Sequence, residues 1–207
     1  MKAQRRKISV ETVWTGTQLD ANERYEHLRL AGTELTNQRA NGVLFREVDC
    51  AGLRLAGSEL KHSSWFDVHI EGSDLANIRW DRAQLRDVNV SSSRLVGLVA
   101  AEATIEDTVF EECDLTLTQW RFSHLKRVRF ERCTLTEADF VGADLTGAVF
   151  HDCEMESVDM SQAKAAGLDL RGSRIEGLRI SPLQMKGGFV DFDQGVYLLS
   201  AIGLNVG

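Results

Sequence analysis

The hydrophobic residues of this chain recur with a period of five over most of its length. Every fifth residue from Leu30 to Ile180 is apolar, without exception. The residues two positions before them are mostly small, and none of them is charged. The other three positions of each five hold nearly all of the charge and many glycines. A helix repeats its faces every 3.6 residues and a strand every 2, so neither explains this period.

A short extended side with two inward residues, followed by a bend, uses five residues. Four such sides close a square coil of twenty, and stacked coils form a solenoid in which each coil buries its interior against its neighbours. Residues twenty apart should then stack on one side, as in the column Phe110, Phe130 and Phe150. We therefore expect residues 26–182 to form a solenoid.

The pattern resembles the pentapeptide-repeat family, whose motif is often written A(D/N)LXX. The best local matches are Ala138-Asp139-Phe140, Ala143-Asp144-Leu145 and Ser73-Asp74-Leu75. The resemblance extends over residues 26–182 with no break in register. It implies an all-β fold, a right-handed quadrilateral parallel β-helix.

Both ends of a solenoid need a cover. We expect an N-terminal cap in residues 1–25, with a capping strand in residues 8–14 and Trp14 over the first coil. Ser181-Pro182 is typical of a stop. In residues 183–207, Asp191 or Asp193 should begin a short helix across Gln194–Ile202 that ends at Gly203, giving a C-terminal helical cap.

The C-terminal tail is strongly apolar, and this allows two interpretations that are compatible with each other. It folds over the last coil as a cap, or it forms a dimer interface, because an apolar patch left exposed will pair. The resemblance implies the second, since the topoisomerase-protecting members of the family dimerise through their C-termini. A homodimer interface would then contain Val196, Tyr197, Leu198, Leu199 and Ile202.

The composition is ordinary for a globular domain: 207 residues, 43% of them hydrophobic and 27% charged. A net charge of −7 argues against a general nucleic-acid binder, which needs basic patches to replace counterions. No apolar segment follows the basic N-terminus, so we expect no secretory signal. No apolar run is long enough to span a membrane. The predicted location is the cytoplasm, with reduced thiols.

No motif of an enzyme stands out. The five histidines have no second ligand at metal spacing, and the GxSxG, GxxxxGK[ST] and HExxH patterns are absent. Cys113, Cys133 and Cys153 lie twenty apart, which fits either a redox or metal ladder or a column of small fillers interchangeable with Ser93 and Ser173. We favour the fillers. The sequence therefore predicts a non-catalytic protein without cofactor or metal.

The charge pattern is more informative. Two segments, Leu95–Trp120 and Cys133–Ala163, contain acids but no lysine or arginine. A basic belt separates them, made of Arg121, Lys126, Arg127, Arg129 and Arg132. One corner should carry a row of carboxylates. The candidate acidic binding surface combines that row with the first segment: Glu47, Asp67, Asp87, Glu102, Glu106, Asp107, Glu111, Glu112 and Asp114.

Three interpretations of this surface remain. The rod imitates duplex DNA, binds a type II topoisomerase such as DNA gyrase, and inhibits it or protects it from a drug or toxin, as resemblance to the quinolone- and albicidin-resistance members implies. Alternatively, it is a scaffold for another protein, which Leu117 and Phe122 at outward positions would suit. Otherwise the acids only keep a repetitive β protein soluble. The basic belt departs from a uniform DNA mimic.

Overall fold

The computed structural model describes residues 12–205, and its strands form one parallel sheet wound into about seven turns. Apart from β1, whose Thr12 pairs with Leu28, the strands pair in parallel with the chain twenty residues later; Phe45, for example, pairs with Trp65, and Trp65 with Leu85. The strands are β1 Thr12–Val13, β2 Arg24–Glu26, β3 Leu28–Ala31, β4 Leu44–Ala51, β5 Ser64–Glu71, β6 Gln84–Ser91, β7 Thr104–Glu106, β8 Val109–Glu111, β9 His124–Lys126, β10 Arg129–Glu131 and β11 Val149–His151. The fold class predicted from the sequence is confirmed.

Each coil of twenty residues has four sides, which we number by their central residues. Side 1 has Phe45 and the residues twenty apart from it at its centre, and side 2 has Cys50. Side 3 is centred on the Leu55 column and side 4 on the Leu60 column. Strands β2 to β11 lie on sides 1 and 2, whereas sides 3 and 4 are joined by single bridges such as Glu34 to Arg54 and Arg39 to Glu59.

The core consists of the two inward positions of each five residues. The central residues from Leu30 to Ile175 are all buried, and the register begins one step earlier than predicted, at Tyr25, which is 6% exposed. Ile180 was predicted to lie inside but is only half-buried. It is the last central residue on side 4, because the chain twenty residues later is helical, whereas the register continues on side 1 to Met185, which is 8% exposed.

Aromatic rings stack in columns inside the coil. Phe130 is parallel to Phe110 and to Phe150, with ring centroids 5.0 and 4.6 Å away, as the twenty-residue period predicts. Phe45 and Trp65 stack in the same way at 4.2 Å. These ladders fill two stretches of the interior along the axis, one up to Trp80 and one from Phe110 to Phe150.

Corners recur every five residues, two positions after each central residue, and the corner residues have positive φ. This left-handed conformation is the reason for the many glycines and for asparagines such as Asn37 and Asn77, because these residues adopt it at low cost. Pro182 falls on the next corner after Gly177. Proline is locked at negative φ, so the regular corner cannot form there, and a 3₁₀ helix, Pro182–Met185, replaces it.

Both ends are covered. At the N-terminus β1 pairs with β3, and the Trp14 ring packs edge-on against Tyr25 at 5.8 Å, while residues 8–11 of the expected capping strand lie outside the described residues. At the other end helix α1, Phe192–Ala201, begins after Asp191, two residues before the predicted start. Within residues 12–205, no helix is long and apolar enough to cross a membrane.

Polar side chains tie the C-terminal cap to the last coil. The Gln194 amide donates to the carbonyl oxygens of Leu170 and Ser173, each at 2.6 Å, and the Gln184 amide donates to Ala163 at 2.6 Å. The Tyr197 hydroxyl accepts a hydrogen bond from the backbone N–H of Gly177 at 2.7 Å. These side chains satisfy backbone groups that would otherwise form an open sheet edge.

Candidate protein-binding surface

The predicted row of carboxylates, Glu47, Asp67, Asp87 and Asp107, lies in one corner column between sides 1 and 2. Its two ends are paired with cationic or potentially cationic groups. The His27 Nδ1 is 3.2 Å from the Glu47 carboxylate, and Arg127 donates two hydrogen bonds to Asp107. The Arg127 guanidinium holds the pKa of Asp107 below its ordinary value. Arg127 therefore reduces the field of this row at its Asp107 end.

Most acids of the first acidic segment are also ion-paired, in each case with a base about one coil away. Arg82 holds Glu102 at 2.9 Å, and its hydrogen bond lowers the pKa of that carboxyl. Lys126 lies 3.8 Å from Glu106. Arg132 pairs with both Glu111 and Glu112. The basic belt thus neutralises much of the segment, and Asp114 alone of its six acids has no ion pair within residues 12–205.

A set of exposed carboxylates lies on side 3 and on the corner that follows it. We call the set there the carboxylate strip: Asp114, Glu137, Glu154, Glu156 and Glu176, all exposed. Side 3 is continuous across these coils, because Asp114 bridges to Thr134, Thr134 to Glu154, and Glu154 to Arg174. Arg174 is shared between Glu154, at 3.1 Å, and Glu176, at 4.0 Å, and is the one base that pairs with the strip in the described chain.

The other acids of the second segment are mostly paired. Asp139 accepts a hydrogen bond from Arg121 at 2.6 Å, and Asp159 pairs with Arg179 at 2.8 Å. Asp144 is 4.0 Å from Lys164. The strip therefore has one paired base, Arg174, for five carboxylates.

The cysteine column makes the same contacts as the serines in equivalent places. Cys113, Cys133 and Cys153 are buried and reduced, and each thiol donates to a backbone carbonyl 23 residues earlier, at 3.4–3.5 Å. The Ser173 hydroxyl makes the corresponding bond to Phe150 at 2.9 Å. A hydrogen bond with Cys113 and burial raise the pKa of the Cys133 thiol to about 12. These observations fit the filler interpretation.

The apolar residues of the C-terminal tail are divided between the two expected roles. Tyr197 and Leu198 pack inward against the last coil, Val196 is half-buried, and Leu199 and Ile202 are exposed. Sequence reasoning missed the two most exposed members of this surface, Phe192 at 83% and Leu183 at 90%. Phe192, Val196 and Leu199 are separated by four and then three residues, a helical spacing that could have identified Phe192 from the sequence. The helix thus covers the core with one stripe and exposes another.

Two family models match the sequence. One describes a pentapeptide repeat region and matches residues 63–140, and the other describes eight copies of pentapeptide repeats and matches residues 123–162. A search of curated proteins finds no match.

One solved structure shares the fold, and another is reported for comparison. A trypsin-treated variant of QnrB1, a plasmid-mediated fluoroquinolone resistance protein, is similar with a TM-score of 0.51 and 18% identity, over 95% of this chain and 96% of that chain. HetL, a pentapeptide repeat protein involved in heterocyst differentiation regulation from the cyanobacterium Nostoc sp. strain PCC 7120, gives a TM-score of 0.40 and 14% identity, over 84% of this chain and 88% of that chain. With its five-residue core register, its left-handed corners and both repeat models, this chain belongs to the pentapeptide-repeat family.

Proposed function

We propose that this chain is a non-catalytic protein-binding rod that occupies the DNA-binding surface of a type II topoisomerase, DNA gyrase, and so inhibits the enzyme or protects it from a drug or toxin. The cytoplasm, where gyrase meets DNA, is the proposed location. The rod itself does not bind nucleic acid, since its net charge of −7 repels phosphate.

The carboxylate strip is the observation that carries this proposal. Its five carboxylates are spread over four coils, and stacked coils lie about 4.8 Å apart. This gives roughly one carboxylate per 4 Å, close to the spacing of about 3.4 Å between phosphates along one strand of duplex DNA. A basic groove shaped for DNA would therefore meet a similar line of charge. The corner row and the paired acids of the first segment add a weaker part of the same field.

A homodimer is part of the proposal. Phe192, Leu199 and Ile202 are exposed on one end of the rod, and burying apolar area is worth roughly 25 cal/mol per Å². A two-fold dimer through this end would present two carboxylate strips along one longer rod, which suits a two-fold symmetric enzyme.

The test is a supercoiling assay with purified gyrase, with and without a fluoroquinolone. We compare the wild type with a strip variant, Asp114→Asn/Glu137→Gln/Glu156→Gln. A matched control, Glu102→Gln/Glu106→Gln/Glu112→Gln, changes the net charge equally but removes acids that are already paired. We expect the strip variant to lose most of its effect on gyrase and the control to keep most of it. Equal activity of all three proteins would refute the proposal.

The second candidate is a scaffold for a different protein partner. The observation that favours it is the exposure of Leu117 and Phe122, at 50% and 58%, because mimicry of phosphate charge does not by itself account for large apolar side chains on the surface. A wild-type protein that leaves gyrase activity unchanged at micromolar concentration would favour this candidate.

A further inference from the structure

Leu117 and Phe122 are exceptions among the corner residues. In residues 12–205, every other residue with positive φ is glycine, polar or charged. Leu117 has φ of 60° and Phe122 has φ of 56°, and both side chains are exposed. The left-handed conformation costs a non-glycine residue roughly 1–2 kcal/mol, and an exposed side chain recovers little of that cost by packing. These two residues therefore oppose stability, which is typical of functional positions.

The two corners bound one stretch of side 4, and several outward positions of the neighbouring coils are apolar. Val96, at the end of side 3, and Val99 and Ala101, on side 4, occupy the coil before, and Val141 occupies the coil after; all four are half-buried. Between the corners lie the exposed Gln119 and Arg121, and the charge of Arg121 is neutralised by Asp139. We call this surface the apolar ridge: Val96, Val99, Ala101, Leu117, Phe122 and Val141.

One side of the Phe122 ring lies beside the next coil, although the residue is 58% exposed. The ring lies against Gly142, one coil later in the same corner column, so closely that a Cβ added at Gly142 would come within 2.6 Å of two ring carbons. A ring positioned before binding loses less conformational freedom when a partner covers it.

The ridge adjoins the carboxylate strip. Glu137 follows Leu117 by one coil in the same corner column, and Asp114 precedes Leu117 by three residues. Both carboxylates are without an ion pair among residues 12–205. Apolar side chains and unneutralised acids thus share one edge of the rod.

We propose that the apolar ridge and the carboxylate strip together bind a basic amphipathic protein segment, whose apolar side chains cover Leu117 and Phe122 while its lysines or arginines face Glu137 and Asp114. This rests on the proposed function and specifies the chemistry that its partner must present. A groove that only binds phosphates would match the charge of the strip but would leave the apolar side chains of the ridge uncovered. A second copy of this chain is disfavoured, since it carries the same negative strip beside its own ridge.

The experiment measures fluorescence anisotropy of a fluorescein-labelled helical peptide made of lysine and leucine, with the apolar residues on one face. A scrambled peptide of the same composition, without an apolar face, is the control ligand. The test variant is Leu117→Asn/Phe122→Asn, which places a residue suited to left-handed corners at both positions. It should be as stable as the wild type in thermal unfolding, or more stable.

We expect the wild type to prefer the amphipathic peptide over the scrambled one, and the ridge variant to bind the amphipathic peptide about tenfold more weakly, as expected for loss of central apolar anchors. The strip variant should bind both peptides more weakly than the wild type does. No preference in the wild type, or equal binding by the ridge variant, would overturn the proposal. If the wild type leaves gyrase unaffected but these peptide results hold, only the choice of gyrase as the partner is wrong. If the wild type affects gyrase but the peptide results do not hold, only the role of the ridge is wrong.

Discussion

The indole N–H of Trp120 donates a hydrogen bond to the hydroxyl of Thr118, 2.9 Å away inside the coil. Trp65 makes the same bond to Ser63 at 2.9 Å. Trp80 occupies the equivalent central position, but the residue two before it is Ile78, and the buried indole N–H of Trp80 has no hydrogen-bond partner among residues 12–205. The hydroxyl two residues earlier thus accepts the indole N–H of Trp65 and of Trp120, whereas Trp80 has no hydroxyl at that position.

This difference predicts the effect of a hydroxyl at position 78. Val and Thr have the same shape, so Ile78→Val and Ile78→Thr remove the same volume. We expect the Thr variant to be more stable than the Val variant by about 1 kcal/mol, because its hydroxyl can accept the Trp80 indole N–H. Urea denaturation of both variants measures this difference. A Val variant that is the more stable of the two would contradict this account of Trp80.

The C-terminal cap depends on the glutamine amides as well as on apolar packing. Gln194→Met should keep the shape but leave the carbonyl oxygens of Leu170 and Ser173 unpaired, and we expect a loss of about 1–3 kcal/mol. Gln184→Met, which releases one carbonyl, should cost less. Chemical denaturation measures both losses, and a neutral effect of Gln194→Met would show that water replaces the amide.

Asp169 should make stability depend on pH. Its carboxylate is 7% exposed, and hydrogen bonds from Arg171, with His151 3.0 Å away, hold its pKa well below the ordinary value. Because the folded pKa is depressed, its stabilisation is present above the unfolded pKa of about 4 and is lost as pH falls through the folded pKa.

We therefore expect Asp169→Asn to cost about 2 kcal/mol at pH 7, as for a buried hydrogen bond to a charged group, and this difference from the wild type should shrink below about pH 4. The exposed acid Glu156 has no ion pair in residues 12–205, so Glu156→Gln serves as the control and should be nearly neutral throughout. A constant difference between Asp169→Asn and wild type from pH 7 to pH 3 would contradict the assignment.

Dimerisation through the exposed stripe of α1 can be tested without removing the cap. Phe192→Gln/Leu199→Gln changes side chains that face solvent and leaves Gln194 and Tyr197 in contact with the last coil. We expect a dimer for the wild type and a folded monomer for the variant in light scattering at micromolar concentration. A monomeric wild type would end the dimer proposal.

The period of five was sufficient to predict the fold, because inward residues cannot be exchanged for charged ones without burying charge. Pro182 interrupts the regular corners because a corner needs positive φ, a cause that emerged only from the backbone. The chain returns to the register after it, since Phe189 bridges to Asp169. The ion pairs were also readable, since Arg82 and Glu102, or Asp107 and Arg127, lie twenty residues apart. Grouping the acids of the first segment along the chain hides these pairs, because the partners lie one coil apart in the same column.

Other features could not be predicted from the sequence. The amides of Gln184 and Gln194 reach carbonyls of the preceding coil only after the caps have taken their positions. The division of Tyr197 and Leu199 between the core and the surface depends on how α1 is rotated, and the apolar pattern of the tail is too continuous to define that rotation.

Displacement of DNA from gyrase tests the central claim most directly. A labelled duplex bound to purified gyrase is titrated with the wild type, the strip variant and the control with paired acids neutralised, at several salt concentrations. We expect the wild type to release the duplex, with an effect that weakens as salt screens the charges. The strip variant should release it poorly and with a smaller salt dependence, and the control should behave like the wild type. DNA mimicry by this surface would be contradicted if the folded strip variant displaced the duplex as well as the wild type does at every salt concentration.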